Sequence, residues 1–282
     1  MKTLLKFSKV FKLLFIGITP LVLFSCEDPI NVDLEVGETL LVVDGWITDQ
    51  PGPHKIILST TSSYFNNDST PRVRGAEISI LDSEGKQEVL TETQTGHYQT
   101  SSTFQAKVGQ QYTLQILFEG QKYSATTEIR RPVIIDSLNQ TYKDKTMIEK
   151  EGYFVLYNGP ELGGLGDFYQ FKIYKNNSLM NKVENLVLVQ DRLIDGLYLK
   201  DVQLHHEPFQ IEDNIRIETW SITEDAFYYY QEMKSQLNNG GMFSYPVANI
   251  RTNIKNAQTN NQMKAIGYFG GASVASKEIV IR

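Results

Sequence analysis

Apolar and polar positions alternate with a period of two through much of the chain beyond residue 39, as half-buried strands require. Ala76-Glu77-Ile78-Ser79-Ile80-Leu81 carries this pattern most plainly. Leu40-Leu41-Val42-Val43-Asp44-Gly45-Trp46-Ile47 is apolar and β-branched and ends in the turn cluster Asp49-Gln50-Pro51-Gly52-Pro53, which predicts a strand over residues 40–47. The same reasoning predicts strands over 54–60, 76–81, 87–92, 97–100, 111–118 and 122–129, with a polar, Pro-interrupted loop over 65–72. Asp82-Ser83-Glu84-Gly85 and Glu119-Gly120 supply hairpin turns. Short strands at this spacing, with no helical period between them, predict an Ig-like or transthyretin-like β-sandwich over residues 39–132, closed by Arg131-Pro132.

A second β-rich domain is expected over residues 133–282. Its strands are predicted at 153–157, 168–174, 186–190 and 214–221, where Ile215, Ile217 and Thr219 share a face, and at 264–269 and 277–281 as closing strands. Residues 159–166 read as a Gly-rich structural loop. One amphipathic helix is predicted near 222–239. Ser221 and Glu224 have capping-box spacing, Ala226, Tyr230, Met233 and Leu237 form an apolar stripe, and Asn238-Asn239-Gly240-Gly241 supplies the stop. Tyr228 and Tyr229 fall beside that stripe and are candidates for a contact surface, since Tyr offers large area at low entropic cost. The predicted fold class is therefore mainly β: a sandwich, then a β-rich domain carrying one helix.

The N-terminus has a different pattern. Lys2, Lys6, Lys9 and Lys12 precede the apolar run 13–24, and the first 25 residues contain no acid. Twelve residues span roughly 18 Å as a helix, short of the roughly 30 Å hydrocarbon core. This is the form of a secretory signal peptide over residues 1–25. Leu23-Phe24-Ser25-Cys26 resembles a bacterial lipobox, so Cys26 is the expected acylation site, its fatty acyl chains, palmitate among them, anchoring the protein in a membrane. Residues 26–38 then form an acidic tether. Its Cys26-Glu27-Asp28 start resembles the acidic signal by which Bacteroidota export lipoproteins to the outer face of the outer membrane.

Charge and composition narrow the function. Beyond the Lys-rich leader the chain carries 23 bases against 33 acids, which argues against sequence-independent nucleic-acid binding. The single Cys excludes a disulfide framework within the chain and a Cys-rich metal site. His205-His206-Glu207 is the nearest approach to a metal motif, but neighbouring residues on a strand face opposite ways, so no metal site and no cofactor are expected. There is no Gly-x-Ser-x-Gly elbow, and Gly163-Gly164-Leu165-Gly166 lacks the features of a phosphate-binding loop. Asp191 with Asp195 and Glu212 with Asp213 are carboxylate pairs of the type glycosidases use, with solvated surface as the default reading. No catalytic residue is assigned.

Val42-Val43-Asp44-Gly45-Trp46-Ile47-Thr48-Asp49-Gln50-Pro51-Gly52-Pro53, Gly75-Ala76-Glu77-Ile78-Ser79-Ile80, Ile135-Asp136-Ser137-Leu138, Tyr245-Pro246-Val247-Ala248-Asn249-Ile250 and Ile266-Gly267-Tyr268-Phe269 together resemble the Bacteroidota lipoprotein family called domain of unknown function 4249. The resemblance runs over essentially the whole chain. It implies an outer-membrane-associated, lipid-anchored and surface-exposed lipoprotein, commonly found with a TonB-dependent transporter, and carries over no catalytic residues. The leading expectation is a non-enzymatic accessory or substrate-capturing subunit of such a transporter. A surface adhesion or glycan-binding lipoprotein is the alternative, and a hydrolase with a non-standard site the second. Asp68-Ser69-Thr70 and Asp136-Ser137-Leu138 also resemble the Bacteroidota O-glycosylation pattern, which makes Ser69 and Ser137 candidate modification sites.

Overall fold

Alternation along β1 (Leu41–Thr48) turns Leu41, Val43 and Ile47 to one side of a sheet and Val42, Asp44 and Trp46 to the other. That division runs through the molecule. The computed structural model describes residues 38–62, 70–147, 150–239, 249–257 and 265–282. Cys26, Glu27, Asp28, Ser69 and the 245–248 part of the Tyr-Pro motif lie outside them.

The first segment continues with β2 (Lys55–Thr60), β3 (Glu77–Asp82), β4 (Gln87–Val89), β5 (Thr91–Gln94), β6 (His97–Gln99), β7 (Gln111–Phe118) and β8 (Gln121–Glu128). Glu119 and Gly120 both adopt positive φ, the geometry of a tight β7–β8 hairpin. The strand predicted over 87–92 is divided at buried Leu90, and its parts, β4 and β5, join different sheets. The second segment adds β9 (Ser137–Lys143), β10 (Gly152–Pro160), β11 (Phe168–Lys175), β12 (Ser178–Leu179), β13 (Val187–Gln190), β14 (Tyr198–Gln203) and β15 (Asn214–Ile222). Helix α1 (Glu224–Leu237), β16 (Lys255–Asn256) and β17 (Ala265–Val280) follow.

The two closing strands expected near the C-terminus are one sixteen-residue strand, β17. Its first half pairs in parallel with β1 and its second half antiparallel with β15. Gly270-Gly271-Ala272-Ser273 fall between the two expected strands. They are buried within the strand where its pairing changes over, Gly270 to Ala272 lying against β1 and Ser273 against β15. The result is a nine-stranded sheet ordered β12-β11-β15-β17-β1-β2-β6-β5, with β13 also on β11.

Two smaller sheets cover one face of the large one. The β16-β8-β7-β3-β4 sheet closes a core containing Leu41, Val43, Ile56, Leu58, Leu114 and Phe269. The β14-β10-β9 sheet closes a second core with Tyr157, Phe171, Ile173, Ile215 and Ile217. Each such aliphatic or aromatic side chain contributes about 1.5–3 kcal/mol on burial. Phe269, Ala275 and Ile279, all odd-numbered on β17, serve these two cores, so both lie on the same side. Even-numbered Tyr268, Ala272 and Val274 point the other way, towards α1. Glu38–Arg282 forms one compact unit.

Candidate functional site

The face of the large sheet opposite the two sandwich cores is only partly roofed. Helix α1 starts at the N-cap Thr223, whose hydroxyl accepts the Ala226 N–H at 3.2 Å, with Glu224 and Asp225 in the first turn. Ser221, expected to cap it, is a buried residue of β15. The helix buries Ala226 and Phe227 against Ile222, Tyr268 and Ala272. Trp46 lies flat over Gly270, where a Cβ would run into its ring, and Tyr230 of α1 stacks above it at 5.4 Å. Trp220 meets Trp46 edge-on at 5.9 Å. The glycine makes room for the indole, and the indole carries the helix.

At the open side of this aromatic wall stands Lys172 of β11. Its ammonium sits 3.1 Å from the centre of the Trp220 ring and 6.0 Å from that of Trp46. Burial pushes its pKa down to about 8, against the pull of Glu218 and Asp44. Glu218, directly across the ladder, is already engaged: Trp220 Nε1 donates to it at 2.9 Å and Tyr174 Oη at 3.2 Å, and Arg216 lies at 3.5 Å. Lys172 itself has no hydrogen bond or ion pair among the described residues. Asp44 reaches solvent, yet the surrounding protein raises its pKa, while Lys172 and Arg72 act in the opposite direction. Gln170, 5% exposed on the same strand face, has an Oε1 that accepts no hydrogen bond. An ammonium, an exposed carboxylate and a buried amide oxygen therefore converge along one aromatic wall. Buried polar groups are normally paired, so the unpaired Gln170 Oε1 beside the Lys172 ammonium is a chemical signal. Together they offer donors, acceptors and aromatic surface to a polar ligand.

A second cluster has the composition of a cation site. Glu161, Asp167 and Asp191 are buried, and their oxygens lie within 4.8 Å of one another. Those oxygens have other work. Glu161 accepts from Tyr169 Oη at 3.0 Å and Gly196 N at 2.6 Å, and Asp191 from Gly166 N and Asp167 N at 2.6 and 2.8 Å. The Arg131 guanidinium forks onto Asp167 and also reaches the carbonyls of Leu162, Gly163 and Gly164 at 2.9–3.1 Å. It stands where a bound cation would, which makes the cluster a clamp on the Gly-rich loop. Asp195 belongs to the same clamp, accepting from Gly164 N at 2.6 Å. Asp213 is tied to Lys175 and Asn176.

Residues 27–278 match the family described as Domain of unknown function (DUF4249). The chain belongs to the DUF4249 family. No curated protein matches it. The family match spans both the aromatic face and the clamp of this DUF4249 chain.

Of the residues singled out from sequence, Tyr228 and Tyr229 do adjoin the aromatic face, but as part of its packing. Tyr229 stacks on Tyr268 at 4.6 Å, and burial pushes its hydroxyl up to about 12. Tyr228 lies against Phe227 and under the Arg251 guanidinium, 5.0 Å from its ring centre. Arg251 in turn binds Glu232 and Asp225, tying the following segment back to α1. Ser137 is half-buried at the start of β9, paired with Asn158. His205 is buried against Phe209, and Glu207 is engaged by Lys150. Sequence reasoning passed over Asp44, Trp46, Gln170, Lys172 and Trp220. The signal was present: Gln170 and Lys172, like Asp44 and Trp46, occupy i and i+2 positions, so each pair shares a sheet face. What was missing was which strands lie side by side.

Proposed function

We propose that this protein is a non-enzymatic outer-membrane lipoprotein, anchored through Cys26, that captures substrate for a TonB-dependent transporter. The observation that carries the capture role is the convergence of the Lys172 ammonium, the Asp44 carboxylate and the unpaired Gln170 Oε1 on the aromatic wall. Convergent polar groups on an aromatic surface orient a ligand, and among them no nucleophile is hydrogen-bonded to a base. The anchoring role rests on the Lys-rich leader, the apolar run and the Leu23-to-Cys26 motif, and the export role on Glu27 and Asp28. Among the described residues no helix is long and apolar enough to cross a membrane. The Cys26 lipid is therefore the membrane attachment this reading invokes, on the outer face of a Bacteroidota outer membrane.

The aromatic face also favours a second reading, a stand-alone glycan-binding lipoprotein, because sugars combine polar rims with apolar ring faces that pack on aromatic side chains. Gentle detergent extraction with cross-linking separates the two. The transporter reading expects co-purification with a TonB-dependent transporter. It also expects loss of uptake in the deletion strain, and complementation by wild type but not by Lys172→Met with Asp44→Asn. Recovery as a free lipoprotein, with uptake unchanged by deletion, overturns it.

A further inference from the structure

Surface loops are normally polar, yet two neighbouring loops of this chain end in exposed leucines. Leu165 is 71% exposed in the first, and Leu193 and Leu197 are 89% and 54% exposed in the second. We propose that the loops over 162–166 and 191–197 form a membrane-contacting tip, in which these leucines enter the interfacial layer of a phospholipid bilayer and Arg192 meets the lipid phosphates.

The loops are braced. Arg131 holds three successive carbonyls of the first loop, Asp191 and Asp195 hold its N–H groups, and Glu161 holds Gly196 of the second. The Glu161 N–H donates to the Leu197 carbonyl at 2.8 Å, and the Asp191 N–H to the Asp167 carbonyl at 3.1 Å. Burying three carboxylates is costly unless they are well satisfied, and here that satisfaction shapes a surface made of leucine and glycine. A preformed apolar tip loses little entropy when it binds.

Charge selects the occupant. Every acid of the clamp is turned inward or onto a backbone N–H, whereas Arg192, beside the most exposed leucine, has no hydrogen bond or ion pair among the described residues. The tip thus presents a cation and apolar side chains on a protein that is acidic as a whole. That is the chemistry of a bilayer interface, where arginine reaches phosphate and leucine reaches the acyl boundary. Antiparallel β13 delivers the second loop beside the first, at the start of β11. The choice of membrane rests on the lipid-anchor reading, and the experiment tests the two apart.

The native lipoprotein carrying Leu193→Cys is labelled with an environment-sensitive fluorophore and reconstituted into vesicles of phosphatidylethanolamine and phosphatidylglycerol. Mass spectrometry counts the labels: one label shows that lipid occupies Cys26, and two show that the anchor reading has failed. With one label, or with Cys26→Ser added where there are two, the emission reports on the tip. The proposal expects a blue shift at position 193, and quenching by lipid-borne quenchers. Neither is expected at the exposed control Val89→Cys. Adding Leu165→Asp with Leu197→Asp, or Arg192→Glu, should return the label to aqueous emission with an unchanged thermal midpoint. Emission at 193 matching the Val89 control, or unaffected by those substitutions, overturns the proposal.

Discussion

A lysine ammonium held over the Trp220 ring and shielded from water gives up its proton more readily than a solvated one. The Lys172 pKa of about 8 lies below the roughly 10.4 of an unfolded chain. Between these values the unfolded state binds more protons, so stability rises as pH increases through about 8. Tyrosines set the upper limit. Tyr157, Tyr174 and Tyr229 are each raised to about 12, chiefly by burial, against roughly 10 unfolded, so stability falls again once the unfolded tyrosines ionise. Urea midpoints measured from neutral pH upward should therefore climb and then drop. Lys172→Met should abolish the climb and leave the tyrosine-driven decline in place. A wild-type midpoint flat across the Lys172 window would refute this account of its burial.

Helix α1 shows how far periodicity reaches at the scale of an element. The spacing of Ala226, Tyr230, Met233 and Leu237 identified a helix, and its bounds were close to Glu224–Leu237. It misjudged what is buried. Phe227, off the stripe, is buried, while Leu237, on it, is 65% exposed. The helix packs through its first turns and then leaves the sheet, so depth along the axis matters as much as angle around it. Phe227→Ala should cost about 3–5 kcal/mol, because it opens a cavity against Phe168 and Ile222. Leu237→Ala should stay within about 0.5 kcal/mol. Tyr229→Ala should fall between them, since its ring stacks on Tyr268. Equilibrium denaturation of the three variants checks the order, and a large Leu237 effect would contradict it.

For the molecule as a whole, the large sheet is the unifying element: β17 joins β1 to β15, so the last strand of the chain completes the sheet that the first began. Sandwich cores occupy one face and the aromatic site the other. Attachment is a whole-molecule property too. Residues 27–38 reach about 40 Å if extended, and the anchoring proposed above would raise the body's effective concentration near any partner in the same membrane. Cys26→Ala should yield an uncleaved, mislocalised precursor, because no second cysteine can take the lipid. Fractionation and intact mass report both, and membrane retention equal to wild type with normal processing would exclude lipid attachment at that residue.

The strands of the first segment, the hairpin at Glu119-Gly120 and the existence of one helix were legible from sequence because alternation, turn chemistry and capping act over a few residues, whereas the polar strands β9 and β14 carry no such pattern and were not expected. Gly270 shows where that reach ends. By itself it signals a break in a strand, yet in the sheet it is the seat of Trp46. Lys172 reads as an ordinary solvated strand residue until β15 brings Trp220 beneath it and the parallel β1–β17 pairing adds Trp46 and Asp44. The same holds for Arg131, whose carboxylate partner is thirty-six residues away. Local propensity specifies elements, but a site built across strands is decided by their order and register. Those depend on burying both faces of the sheet at once, a constraint that only the assembled tertiary structure satisfies.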